Sequence, residues 1–371
     1  MKALIQTDYG DPAKVLQLRD VPDVQAGADE VVIAMETAVV HAADARTVLG
    51  AEGFRKKLPR TPGYEGVGRV LRVGHSVKDF EPGARVFAPV GAGTFREQIA
   101  VPAAGLKRAP EGDAVQVAVL STGPATALLM LQDFATLAED DWVVQNAANS
   151  PVGRLVIQIA NELKLRVVNV VKSSPVISEL KEIGAGAVLL DTDDLRDRVA
   201  AVTQGAPIKL GLDAVAGEAT TRLAGCLSED ATIVNYGSLS GEPCQLPWDV
   251  LTLRGIRLCG MNPARQLARH TDEECKAIDD RIAQMLVAGR LHARIAATFN
   301  LDDAIEAIRH AAKAGDKRFG KVVLRISHIS APASATEPPP PPQTAAESPV
   351  NPAPAAEAPA APAEAAPATA A

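Results

Sequence analysis

Apolar residues recur along this chain with two different periods. In the stretch 142–172, Trp142–Asn146 and Val167–Val171 are short apolar-rich runs, the pattern of strands covered on both faces. Between them Val152, Leu155, Val156, Ile159, Ala160 and Leu163 fall at i, i+3, i+4, i+7, i+8 and i+11, one stripe for packing a helix on a sheet. Asn149 or Ser150 can cap that helix, and Pro151 suits its first turn, where a missing N–H costs little. Further strands are expected at Ala187–Leu190, Leu210–Ala214 and Thr232–Tyr236, with helix-length segments between them. Ser174 is expected to cap one of those helices, with Pro175 in its first turn and its end before Gly184. Residues 121–261 therefore predict a parallel, doubly wound Rossmann sheet.

The flanking regions have other patterns. Within residues 1–120 the runs Met1–Asp8, Glu30–Thr37, Gly66–Val73 and Ala84–Ala88 are β-forming, with a turn at Asp79–Gly83, and predict an antiparallel, barrel-like domain. Residues 262–326 are mixed: a helix near Thr271–Ala288, a strand near Arg294–Phe299, a helix capped near Asn300 and running towards Ala314, and a strand at Lys321–Ile326. Residues 327–371 are Ala/Pro/Glu-rich, including Pro338–Pro342, and are expected to be a disordered tail or tether, because they cannot bury enough apolar surface to order. The expected class is α/β, with a Rossmann sheet, a barrel domain and a tail.

Composition narrows the class. A 47% hydrophobic content supports substantial cores, while a net charge of −7 without basic clustering argues against nucleic acid or an anionic membrane as partner. Cys226, Cys244, Cys259 and Cys275 lie apart with no CxxC pair, as expected of reduced core thiols rather than a disulfide or zinc framework. No leader pattern opens the chain and no apolar run approaches the roughly 18 residues of a membrane span. The expected compartment is the cytoplasm.

The loop before the helix carries the first chemical signal. A strand–loop–helix–strand unit holds a dinucleotide at the positive end of the helix. Here only Gly153 survives of a G-x-G-x-x-G pattern, and Pro151 removes one amide. Lys172 follows Gly153 at the distance where an NAD enzyme places an acid for the ribose 2′-hydroxyl. A cation there, with Ser173 and Ser174, favours the 2′-phosphate of NADPH.

Several local sequences support a family resemblance. Gly63–Val70 (GYEGVGRV), Val73–Val86 (VGHSVKDFEPGARV) and Gly320–Leu324 (GKVVL) resemble the medium-chain dehydrogenase/reductase superfamily. Gly93–Arg96, Gly123–Ala127, Gln145–Gly153 with Val156–Ala160, and Asn235–Leu239 resemble its mitochondrial-type 2-enoyl thioester reductases, next to NADPH:quinone oxidoreductases. The resemblance implies a GroES-like catalytic domain over 1–120, completed by 262–326, with NADPH in the cleft and a homodimer formed through the Rossmann domains. It further implies that Gly123, Ser150, Pro151, Val152, Gly153, Lys172, Ser173, Ser174, Tyr236, Gly237, Ser238 and Leu239 line the cofactor, with Met261, Asn262 and Lys321 as further members.

Zinc-dependent relatives carry Cys where this chain has His41 and His where it has Tyr64; with Glu65 as the only other candidate ligand, no metal is expected. The implied substrate is an acyl thioester, with a quinone as the alternative and a nucleotide-binding protein with little catalysis as a third reading. Enoyl reduction adds hydride at the β-carbon and a proton at the α-carbon. The family's tyrosine donor aligns with Glu52, a departure that leaves Glu52, Tyr64 and His41 as candidate catalytic groups. The basic run Phe54–Arg60 could meet coenzyme A phosphates or an acidic carrier protein, or stand as a solvated loop.

Overall fold

The computed structural model describes residues 1–51, 55–312 and 320–326. Its strands in chain order are β1 (Lys2–Gln6), β2 (Leu16–Asp20), β3 (Glu30–Val40), β4 (Glu65–Val73), β5 (Arg85–Phe87), β6 (Gln98–Pro102), β7 (Trp142–Gln145), β8 (Arg166–Val171), β9 (Ala187–Leu190), β10 (Ile208–Asp213), β11 (Thr232–Asn235), β12 (Arg257–Gly260), β13 (Ile295–Asn300) and β14 (Lys321–Arg325). β1 and β2 pair antiparallel, and the others form two six-stranded sheets.

The barrel-like sheet runs β13-β14-β3-β4-β5, with β6 also on β3. β3 is its spine. One edge pairs β6 over Glu30–Ala34 and β14 over Thr37–Val40, while the other pairs β4 throughout. Val31, Val32, Ile33, Ala38, Val39 and Val40 are all buried, so the strand extends beyond the expected end at Thr37. Within residues 1–120 every pairing is antiparallel, as expected; the returning segment adds one parallel pair. β13 and β14 pair parallel, because a helix at Ala304–Ala312 lies between them and carries the chain back to the same end.

The second sheet has the order β12-β11-β10-β7-β8-β9, and every pair in it is parallel. Successive strands step outward on one side from β7 to β9, then return to β10 and step out the other way. The C-terminal ends of β7 and β10 therefore flank the point where strand order reverses, the usual crevice for a ligand in this architecture. β12 escaped the sequence reading because it is an edge strand whose residues are largely exposed.

The helix Pro151–Glu162 forms as its sequence predicts. Ser150 caps it by accepting from Gly153 N at 3.1 Å, and Pro151 opens the first turn. Leu155, Val156, Ile159 and Ala160 join one core cluster, while Ile157 enters a second with Val171, Val176 and Leu180. The apolar stripe thus identified one of two buried faces. In the next helix, Val176–Glu182, Pro175 occupies the cap position without a side-chain hydrogen bond; Ser174 is exposed and caps through its backbone carbonyl alone. The cysteines are unpaired and half-buried rather than fully in the core. Among the described residues, no helix is long and apolar enough to cross a membrane.

Candidate active site

A cleft of about 810 Å³ opens between the C-terminal ends of the parallel strands and the barrel wall. That volume is of the size that holds a cofactor-sized ligand.

The Rossmann side rests on amides and one carboxylate. Gln145, at the end of β7, donates to Gly153 O at 2.9 Å and to Asn169 Oδ1 at 2.7 Å, tying loop, helix and β8 together. A Cβ on Gly153 would stand 2.7 Å from Ala147 O and 2.8 Å from Ala148 Cα, so only glycine lets the helix approach the loop this closely. Asp213, at the end of β10, is fully buried. Its Oδ1 accepts from Asn146 Nδ2 at 2.6 Å, Val215 N at 2.9 Å and Ala216 N at 3.0 Å. Its Oδ2 accepts from Thr220 Oγ1 at 2.7 Å and Asn235 Nδ2 at 3.2 Å. Asn146 and Val215, which Asp213 fixes, both line the cleft.

Ser150, Pro151 and Val152 line the cleft at the helix N-terminus, and Lys172 and Ser173 line it beyond β8. Ser174 lies outside that lining. Asp191, after β9, also faces the cleft, but Arg222 grips it through two bonds of 2.7 and 2.8 Å. Arg46, Arg154, Lys172, Arg294 and Lys321 give the lining a cationic excess that suits phosphates. Ser238 and Leu239 line the cleft as exposed residues, whereas Tyr236 packs against the core and Gly237 presses against Ala214. Met261 packs beside that core, and Asn262 caps the helix Pro263–Leu267 by accepting from Arg265 N; neither lines the cleft.

The barrel side carries charge. His41 precedes the helix Ala42–Leu49, and its backbone N–H donates to Asp44 Oδ2 at 2.8 Å. His41 Nε2 stands 3.1 Å from Glu65 Oε2 at the start of β4. Glu65 also accepts from Thr122 Oγ1 at 2.7 Å and Ser121 Oγ at 3.3 Å. Burial alone would raise the Glu65 carboxyl, but His41, Lys321 and Thr122 outweigh it and hold the group down at about 2. Burial pushes Asp44 up against the opposing charges of His41 and Arg60. Tyr64 meets His41 edge-on with centroids 6.4 Å apart and is 47% exposed. Thr122, Gly123 and Lys321 line the cleft directly in front of this group. Glu52 and Phe54 fall outside the described residues; the rest of the basic run, Arg55–Arg60, lies in the loop that Tyr9 holds through Lys56 N at 2.7 Å.

Sequence reasoning missed Thr122, Asn146, Arg154, Asp191 and Asp213. Position at the C-terminal end of a parallel strand was the available signal for Asn146, Asp191 and Asp213.

His41 and Glu65 supply two donors of a possible metal site, but among the described residues no group of three His, Cys, Asp or Glu side chains could hold a metal ion. A catalytic zinc takes about three protein ligands and an open position, so this donor set does not fit one.

Residues 27–111 match the family described as alcohol dehydrogenase GroES-like domain, and residues 151–279 the family described as zinc-binding dehydrogenase. The mitochondrial enoyl-acyl-carrier-protein reductase of Mus musculus is 33% identical over 300 residues, which is 79% of this chain and 80% of that protein. A Bacillus thuringiensis structure assigned as an NADPH:quinone reductase superposes with a TM-score of 0.77 at 26% identity, covering 87% of this chain and 98% of its own. Candida tropicalis Etr1p, solved with NADP and crotonyl-CoA, superposes with a TM-score of 0.75 at 23% identity, covering 87% of this chain and 99% of its own. With a GroES-like barrel, a parallel sheet reversing at β7 and β10, and one-third identity over four-fifths of both chains to the mouse protein, the chain belongs to the medium-chain dehydrogenase/reductase superfamily, among the mitochondrial-type enoyl thioester reductases.

Proposed function

We propose that this protein reduces the 2,3 double bond of 2-enoyl thioesters with NADPH. The observation that carries the reading is the single cleft in which the capped helix N-terminus and Lys172–Ser173 face Thr122, Gly123 and Lys321 of the titratable wall. The mouse relative's activity and the NADP and crotonyl-CoA bound by Etr1p point the same way.

When bound, NADPH supplies the hydride that reaches the β-carbon. The chain's own residues do the rest. The N-terminus of the helix Pro151–Glu162 receives the pyrophosphate, and Lys172 with Ser173 takes the 2′-phosphate. Ser238, Leu239 and Gly123 line the same cleft. Tyr64 is the proton donor we favour for the α-carbon, with the His41–Glu65 pair behind it. Glu52 is the alternative donor.

The compartment and the oligomer are parts of the same proposal. Among the described residues β12 is a sheet edge, and Trp248, Leu251, Leu253 and Leu258 in or near it are exposed apolar side chains. Two copies pairing there would cover them, giving a homodimer. Leu258→Asp should then yield monomers by light scattering. The cytoplasm expected from composition stands against the mitochondrial names of the relatives, and fractionation of the native host distinguishes the two.

Steady-state assays with crotonyl-CoA and with a small quinone, each with NADPH and NADH, test the reading. Turnover of crotonyl-CoA with NADPH is expected. Activity with quinones only would favour the second reading, an NADPH:quinone oxidoreductase, to which the Bacillus thuringiensis structure points. NADPH binding with no turnover of either would mark a binding protein. Tyr64→Phe and Glu52→Gln separate the donors; if neither lowers kcat, both assignments fail.

A further inference from the structure

The cofactor loop of this chain is short of the donors such loops usually supply. Of its glycine positions only Gly153 remains, and Pro151 has no N–H to offer. Behind the loop stands Tyr236, the residue after β11. Its ring is partly buried and packs, like Val152 and Met261, against the main core cluster, while its Oη is shut off from solvent and has no hydrogen-bond partner. Buried polar groups are nearly always paired, so an orphan of this kind needs a reason. A tyrosine serving only as packing would be matched by phenylalanine, without a stranded hydroxyl.

The surroundings supply the reason. Tyr236 packs against the core cluster that also takes in Val152 and Leu155 of the helix that Ser150 caps; burial drives its phenol well above the ordinary range, and the Ser150 hydroxyl acts in the opposite sense. Ser150 Oγ already accepts from Gly153 N at 3.1 Å as the helix cap. A hydroxyl that accepts one bond still has a proton to give and a second lone pair to fill.

We infer that Tyr236 and Ser150 form a two-hydroxyl donor chain directed at the cofactor's pyrophosphate, resting on the reading of the cleft as an NADPH site. With a phosphate oxygen at the helix N-terminus, the Ser150 O–H donates to it and the Tyr236 O–H donates to Ser150 Oγ. Both hydroxyls are then satisfied in the bound state, and hydrogen bonds in series polarise one another. The chain replaces the amide donor lost at Pro151. Tyr236 is a positioning residue: it acts through Ser150 and takes no part in proton transfer to substrate.

The test uses the full chain carrying Tyr236→Phe, Ser150→Ala or both. Each is melted without ligand and titrated with NADPH and with adenosine 2′-monophosphate, which has the 2′-phosphate but no pyrophosphate. Tyr236→Phe should melt at or above the wild-type temperature, because it removes an unpaired buried hydroxyl. Its Kd for NADPH should rise about tenfold, the effect of one lost bond in a charge-assisted chain, with the Kd for adenosine 2′-monophosphate unchanged. The double variant should bind NADPH no more weakly than Ser150→Ala, since the phenol acts through the serine. A Tyr236→Phe protein that melts several degrees lower, one that binds NADPH like wild type, or additive losses in the double variant would each overturn the hydroxyl chain. A wild-type protein that binds neither ligand overturns the cofactor reading and the chain together, and so is distinguishable from those three outcomes.

Discussion

The two walls of the cleft are built on different electrostatic plans. On the Rossmann wall the inner supports are amides and a single carboxylate, Asp213, met by five donors. On the barrel wall Asp44, His41 and Glu65 are titratable groups in contact, with Lys321 at the start of β14 acting on Glu65. Fixed dipoles, with Arg154 and Lys172 in the lining, suit the phosphates of a cofactor without rearranging. A wall of coupled acids and bases suits a step in which a proton must be stored and released. The division matches the proposed division of labour, cofactor on one side and proton on the other.

The largest expected effect breaks the Rossmann wall. Asp213→Ala strands five donors, at least four of them buried, and should cost about 3–5 kcal/mol in denaturant unfolding, with loss of NADPH binding. A loss below about 1 kcal/mol would mean that water or rearrangement satisfies those donors.

The second effect tests the barrel wall through pH. The Glu65 carboxyl is depressed from 4.5 to about 2, so its contribution is fully present above pH 4.5 and lost as pH falls towards 2. That amounts to about 3 kcal/mol of stability across the window. Glu65→Gln should flatten the stability curve between those pH values; an unchanged acid limb would remove Glu65 from the account.

Third in size is cofactor choice. Lys172→Ala should raise the KM for NADPH about 10- to 30-fold and leave that for NADH unchanged, the consequence of deleting one charge-assisted bond to the 2′-phosphate. Equal losses with both cofactors would place Lys172 elsewhere in recognition. The smallest effect is the cap itself: Ser150→Ala should lower stability by about 1 kcal/mol without ligand, measured by thermal melting.

The two walls were also unequally legible in the sequence. The helix Pro151–Glu162 could be read directly, because its cap, its proline and its apolar stripe are all local signals. The central strands of both sheets were legible for the same reason, being short apolar runs between turns. β12 was not, because an exposed edge strand has little apolar content to display. Nor was the parallel pairing of β13 with β14, which depends on where a crossover helix sets the chain down. Asp213 and Thr122 were missed because their partners lie far away in sequence: Asn146 is 67 positions from Asp213, and Glu65 is 57 from Thr122. Periodicity reports the face a residue presents, and says nothing about which distant group meets it there.

One further contact pattern spans both walls. Between the helix Asp272–Val287 and β13, the chain passes His292 and Ala293 through a pair of glutamine side chains. Gln158, on the helix Pro151–Glu162, bonds His292 N at 2.7 Å and His292 O at 3.1 Å. Gln116, on the helix Ala114–Val119 against the barrel, bonds Ala293 N at 2.9 Å and Ala293 O at 3.0 Å. Each amide imitates a neighbouring strand for one peptide, so the passing segment is clipped to both halves at adjacent residues. A motion that widens the cleft must either turn about this clip or break four hydrogen bonds together. The segment is a pinned crossing rather than a slack connection, and the two residues it pins, His292 and Ala293, themselves line the cleft.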